Sequence, residues 1–390
     1  MGMATTQILL PRQENQTRAI AQFAIDFLAD EFAPPDPAVL QKVEQFHLDS
    51  VVCAVAALGC GTNAPGVLRE EATDYPVGGS PAAGASLFGS TILVKPEKAV
   101  LANCAAVREF DANGTNFGFN PATGDTRGEF GHNDFYPVVV AAAQQTGAAG
   151  HRAILGMLCL DEIRGRLAEV FALKDHKIDH VMHGAIASAA VYGALLDISV
   201  TQIESAIGLV LAHYVPFRAI RAGHQLSDSK GASAALSAEM AVVSVHRARR
   251  GFVGPADVFR NPQAIFCLFE PPENANESPF DLTLTTSGSD FAVMGMHFKL
   301  GLYEHQSAGA IQGLIDVLGA NPNLLASVDQ LERIRITIYE PAFSIIGGPV
   351  KRDPRTRQSA DHSMVYIIAT LFRKALQTRR IGWRELMLVP

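Results

Sequence analysis

Tryptophan occurs once in these 390 residues, and cysteine five times at wide spacings, with no Cys-x-x-Cys pair among Cys53, Cys60, Cys104, Cys159 and Cys267. An odd, dispersed set argues against a disulfide framework or a thiolate zinc cage and fits a reducing compartment. Cys53, Cys60 and Cys159 stand in apolar stretches, where a small buried side chain is the plain reading. Charged residues make up only 18% of the chain and the net charge is −7, so the balance points away from nucleic acid. No apolar run reaches the roughly 18 residues a membrane span needs; the best, VVCAVAALGCG from Val51, reads as the end of a buried helix. The N-terminal stretch MGMATTQILLPRQENQ lacks the apolar core and cleavage site of a signal peptide, and Glu14 interrupts the basic pattern of Arg12 and Arg18. The expectation is a soluble cytoplasmic protein without membrane or nucleic-acid partners, or a matrix protein if the source is eukaryotic.

What is present is a large apolar fraction, 48%, over a length that suits one large body with a smaller partner. Asp36-Pro37 reads as a cap and first-turn proline, followed by Leu40, Val43, Phe46, Val51 and Val55 at helical spacing until Gly59. Asp179 is placed to cap the alanine- and glycine-rich HVMHGAIASAAVYGALL, a composition suited to close helix packing. Leu236, Met240 and Val243 mark a further helix that closes with Arg247, Arg249 and Arg250 before Gly251. The polar, proline-containing PPENANESPFDLTLTTSGSD predicts a domain boundary, with residues 1–272 before it and 273–390 after it. Beyond it Ile311, Leu314, Ile315 and Leu318 form a helix face. Ile334, Ile336 and Ile338 alternate with Arg333, Arg335 and Thr337 as in a half-buried strand, so the second unit is expected to be α+β. The apolar end, Trp383, Leu386, Met387 and Leu388, reads as unfinished.

Three segments are too polar for their surroundings. REFDANGTNFGFNPATGDTRGEFGHND holds Asp111, Asn113, Thr115, His132 and Asp134 in a glycine-rich loop whose length points to function. HYVPFRAIRAGHQLSDSKGASAA gathers Arg218, Arg221, His224, Ser227, Asp228 and Lys230 ahead of an alanine-rich helix, a setting for carboxylates or phosphates. HKIDHVMHG offers His176, His180 and His183 at spacings of four and three. A helix starting at Asp179 leaves His176 outside, however, and no HExxH accompanies them, so no metal is expected there. In the second unit, KLGLYEHQSAGA and SADHSMVYIIA place His305 and Tyr366 beside helical stretches. This inventory suits proton transfer on an anionic substrate; it includes no phosphate-binding loop, dinucleotide fingerprint or serine elbow.

At these same segments the sequence resembles the MmgE/PrpD family. REFDANGT resembles its D-x-N/D-D-T stretch, followed by a glycine-histidine; IDHVMHGAIASAA its helix after Asp-His-Val; FRAIRAG…SDSKGASAA its Arg-x-x-Arg and later lysine. FKLGLYEHQSA and ADHSMVYIIATLF are similar to its lid-domain histidine and tyrosine segments. The resemblance implies a mainly α fold, a large all-helical domain with a smaller α+β lid and an active site in the cleft, in a homodimer without cofactor or metal. It also implies dehydration, decarboxylation or epimerisation of di- or tricarboxylates. Removal of water from 2-methylcitrate to give 2-methyl-cis-aconitate is the nearest activity; cis-aconitate decarboxylation, dicarboxylate epimerisation and a truncated non-catalytic relative are the alternatives. Asp111, Thr115, His132, His180, Lys230, His305 and Tyr366 carry over from the family, Arg218 and Arg221 as carboxylate binders, with Ser227 beside them on the substrate. His132, oriented by Asp111, is expected to be the base. His180, His305 or Tyr366 is expected to be the acid, and Lys230 a cation for developing charge. Gly114 stands where the family usually has a second acidic residue, and Asn133-Asp134 where His-Pro-Ser is usual. The family's C-terminal return to the helical domain is expected to be absent from this chain.

Overall fold

A computed structural model describes residues 6–78, 80–120, 125–221, 225–340 and 342–387. The chain is mainly helical with a small β component, and it divides into two compact units. The larger comprises residues 1–109, 113–218 and 232–298; the smaller comprises 110–112, 219–231 and 299–390.

The larger unit begins with β1 (Gln7–Leu10), then α1 (Gln16–Leu28), α2 (Pro37–Gly59), α3 (Asn63–Thr73), β2 (Ala85–Ser86), β3 (Leu93–Val94) and α4 (Pro96–Arg108). It continues with β4 (Thr115–Asn120), β5 (Asp125–Phe130), α5 (Tyr136–Thr146), α6 (Gly150–Val170), α7 (Val181–Leu195), α8 (Val200–His213), α9 (Asp228–Arg249), α10 (Ile265–Phe269) and β6 (Leu282–Thr285). Helix α7 is buried on every side, so it is the axis around which α1, α5, α6 and α8 pack. Its run of alanines and glycines makes that close packing feasible. Local signals set the ends: Ser199 and Gln202 form a reciprocal capping box on α8, and Asp36-Pro37 opens α2. Among the described residues no single helix is long and apolar enough to cross a membrane.

Several sequence expectations change here. The chain passes to the smaller unit after Phe298, not at 272, because β6 pairs antiparallel with β1 and ties residues 282–285 back to the N-terminal strand. The described strands all lie in the larger unit. The strand expected from the alternation of Ile334, Ile336 and Ile338 is not formed: residues 331–339 have no regular secondary structure and join no ladder among the described residues. On α9 the outer face is Leu236, Met240 and Val243, while Ala234, Ala238, Ala241, Val245 and Ala248 turn inward. Small residues let that helix approach its neighbours closely, which outweighs burying the larger side chains. Val55 of α2 is exposed, and so is Cys60, which follows that helix.

The smaller unit contains α11 (Ala308–Ala320), α12 (Arg357–Ala360), α13 (Met364–Thr378) and α14 (Trp383–Met387). Its own core joins Ile311, Leu314 and Leu318 of α11 to Ile367, Ile368 and Leu371 of α13. Trp383 packs against Tyr303 and donates to Gln312 Oε1 at 2.6 Å.

Candidate anion-binding site

Two of the three segments that build the smaller unit are short, and each carries a charge into it. Asp111 follows α4 by three residues with a φ of +51°, a left-handed backbone that aspartate tolerates better than most residues. Lys230 lies in the first turn of α9, its N–H bonded to the Ser227 carbonyl at 3.0 Å. The stretch leading to it is stitched down: Leu226 N–H donates to Ser359 Oγ and Thr356 Oγ1 donates to the Leu226 carbonyl, each at 2.7 Å. Both side chains are therefore fixed from the backbone outward.

Lys230 Nζ donates to Asp111 Oδ2 at 3.0 Å, and its side chain is 1% exposed. Lys299 approaches the same carboxylate, 3.4 Å from Oδ1, and also donates to the Asp111 carbonyl. Its placement inverts the usual pattern. In FKLGLY Phe298, Leu300 and Leu302 are exposed while the Lys299 ammonium is inward beside the Tyr303 ring. A third group, His362 Nε2, stands 3.5 Å from Asp111 Oδ2. Its Nδ1 is 2.6 Å from Asp361 Oδ1, and Arg357 holds the other oxygen of Asp361 at 2.9 Å.

Two ammonium groups thus converge on one buried carboxylate. Buried charge is tolerated only when paired, and here both lysines share the Asp111 carboxylate. Glu304 completes the set. Burial pushes its carboxyl up to about 7, with Lys299 opposing and Asp111 reinforcing that shift. His362 moves the other way: burial, helped by Lys230, lowers it to about 4 against the pull of Asp361 and Asp111.

The larger unit holds a second polar cluster. Asn113 donates to Asn133 Oδ1 at 2.7 Å and also bonds Asp134; Asn133 donates to the Phe46 carbonyl and to Asp49 Oδ2 at 2.8 Å. His132 is wholly buried between Phe46, Phe117 and Tyr136, and Asp161 Oδ2 lies 3.9 Å from its Nε2. Within this unit Asp161 is a carboxylate that His132 meets. Burial drives the imidazole well below its usual range, with Arg164 and Lys42 adding to the effect. Gly114 explains the departure from the acidic residue expected there. A Cβ at that position would lie 2.2 Å from His132 Cε1 and 2.9 Å from Phe46, so no larger residue fits.

Of the other sequence candidates, Thr115 opens β4 with a buried hydroxyl, and His180 is the N-cap residue of α7, Nδ1 3.6 Å from Asp179. Asp179 does not cap the helix from one residue earlier, as the sequence suggested, though its carboxylate accepts from Val181 N–H at 3.4 Å. His183 is buried, and His176 lies outside α7, bonded to Glu270 at 2.8 Å, so the three imidazoles share no helical face. Arg218 and Arg221 are half-buried at the ends of one short turn, Ser227 is exposed, and His224 lies outside the described residues. His305 is half-buried at an apolar groove of about 930 Å³, and Tyr366, on the first turn of α13, is 47% exposed.

The structure therefore gathers Asp111 and Lys230 and adds Lys299, Glu304, Asp361 and His362, which lie in the same polar segments of the second unit as His305 and Tyr366. A signal existed: Lys299 interrupts an apolar run, and Asp361-His362 immediately precedes the serine that caps α13. The description of the MmgE/PrpD N-terminal domain matches residues 18–277, which include Asp111, His132, His180 and Lys230. With two thirds of its length covered by that match, the chain belongs to the MmgE/PrpD family.

Proposed function

We propose that the protein is a hydro-lyase that removes water from a tricarboxylate, 2-methylcitrate or a close relative. The convergence of Lys230 and Lys299 on Asp111 carries this reading, and the family includes hydro-lyases. A proton on carbon next to a carboxylate is weakly acidic, because its loss loads further negative charge onto that carboxylate. Two preformed ammonium groups in a buried setting answer that charge as it develops, without reorganisation at the moment of reaction. Lys230 and Lys299 bind carboxylates of the substrate and hold the added charge. Glu304, whose carboxyl ionises near neutral pH, is suited to proton transfer beside them. His132 and His180 remain acid–base candidates of the larger unit, with burial holding the His132 imidazole well below its usual range. A cytoplasmic homodimer belongs to the same proposal. Leu48, Val52 and Val55, exposed on one stripe of α2, are the surface favoured for the second copy, and sedimentation measures the outcome.

The test is incubation of chelator-treated protein with 2-methylcitrate, citrate and cis-aconitate, following ultraviolet absorbance and carbon dioxide. Absorbance rising from 2-methylcitrate without gas supports the dehydratase, and Lys230→Met and Lys299→Met should each cut its rate at least 100-fold. Gas from cis-aconitate would move the assignment to decarboxylation. Silence on all three would overturn it in favour of an epimerase or a non-catalytic relative.

A further inference from the structure

His362 is held more firmly than anion binding alone requires. Its ring, buried just ahead of α13, has a carboxylate at each nitrogen: Asp361 at 2.6 Å from Nδ1 and Asp111 at 3.5 Å from Nε2. Asp361 is fixed in turn by Arg357 and by its carbonyl, which accepts the Glu304 N–H at 2.9 Å. With Nδ1–H donating to Asp361, the neutral ring points its Nε2 lone pair at an oxygen of Asp111. Two acceptors then face each other. A proton on Nε2 would convert that approach into a charge-assisted hydrogen bond.

Burial and the positive charge of Lys230 are what keep that proton off. The groups facing the ring are Asp361, Asp111 and Lys230. Lys299, Glu304 and Arg357 act on it at one remove through Asp111 and Asp361. An anion that settles on the two lysines cancels the charge that opposes protonation while leaving both carboxylates in place.

We propose that His362 takes up a proton when a polycarboxylate binds beside Lys230 and Lys299, and that Asp361 holds the ring so that this proton can be passed to the departing hydroxyl. The uptake forms the Nε2–H bond with a proton from solvent. In the reaction the carbon–oxygen bond breaks with its electron pair on oxygen, which accepts that proton and leaves as water, and Nε2 regains its lone pair. The proton lost from carbon returns to solvent, so each turnover is balanced. The second half rests on the hydro-lyase reading; the first requires only that a polycarboxylate binds.

Calorimetric titration of the protein with citrate at pH 6.5, in buffers of differing ionisation enthalpy, counts the protons taken up. Carbon-13 spectra of the histidine ring follow His362 directly in the unaltered protein. The expected result is uptake approaching one proton per citrate, with the His362 resonance moving to its charged position. That uptake should vanish in His362→Gln while citrate binding weakens no more than about tenfold. Asp361→Asn, which spares the ring, should reduce the uptake and shift the pH–rate profile. Citrate binding with no proton uptake, or uptake that survives in His362→Gln and disappears only in Glu304→Gln, overturns this proposal and leaves the anion site standing. No citrate binding at all overturns both.

Discussion

Replacing Glu304 by glutamine changes one ionisation and almost nothing else, which makes it the cleanest probe of the smaller unit. The glutamine amide oxygen can still accept the Gln306 N–H that the carboxylate accepts at 2.8 Å, and the shape is conserved. What is removed is a buried carboxyl whose ionisation is pushed from 4.5 up to about 7, chiefly by burial. The sign follows from linkage. As pH rises the unfolded chain loses this proton near 4.5, while the folded chain keeps it until about 7. Between these limits the unfolded state binds fewer protons, and stability falls with rising pH. At about 1.4 kcal/mol per pKa unit the full penalty is roughly 3 kcal/mol, reached above pH 7 and absent below pH 4.5. Glutamine escapes it. Urea unfolding, followed by the fluorescence of the single Trp383 in the same unit, should show the variant equal to the parent near pH 4 and more stable by about 2–3 kcal/mol at pH 8. Parallel stability curves from pH 5 to 8 would refute the assigned burial of this carboxyl.

Two other substitutions test the packing. Gly208→Ala should cost more than about 3 kcal/mol or prevent soluble expression, because the new methyl carbon would lie 1.9 Å from the Pro255 carbonyl oxygen; an unchanged melting temperature would refute that close approach. Ile334, on the segment without a ladder partner among the described residues, is 43% exposed. Ile334→Lys should lower self-association in light scattering at high concentration, with less than about 0.5 kcal/mol change in stability. Scattering equal to that of the parent would show that this segment is not what associates.

The helices were legible because each carries its own signals: the Asp36-Pro37 start, the alanine-rich core helix, and the arginines before Gly251. The pairing of β1 with β6 was not, since it joins segments some 270 residues apart and nothing local in either announces the other. The Ile334–Ile338 alternation suggested a strand that does not form, because whether a neighbour supplies a ladder is not written in that segment. At the site, Asp111 and Lys230 stood out as charges in glycine-rich surroundings. Lys299 did not, because a lysine between a phenylalanine and a leucine reads as the solvent side of a strand, and here Phe298 and Leu300 face out instead. His305 and Tyr366 drew attention by residue type, whereas the ring fixed by two carboxylates was the neighbouring His362.

The smaller unit takes Asp111 from one short stretch, Lys230 from a second, and Lys299, Glu304 and His362 from a third. No single cut in the gene can therefore move this charge cluster into another protein. A chimera exchanging only residues 299–390 would inherit Lys299, Glu304 and His362 without Lys230 or the Asp111 carboxylate they surround. Transplanting the site therefore requires all three stretches together.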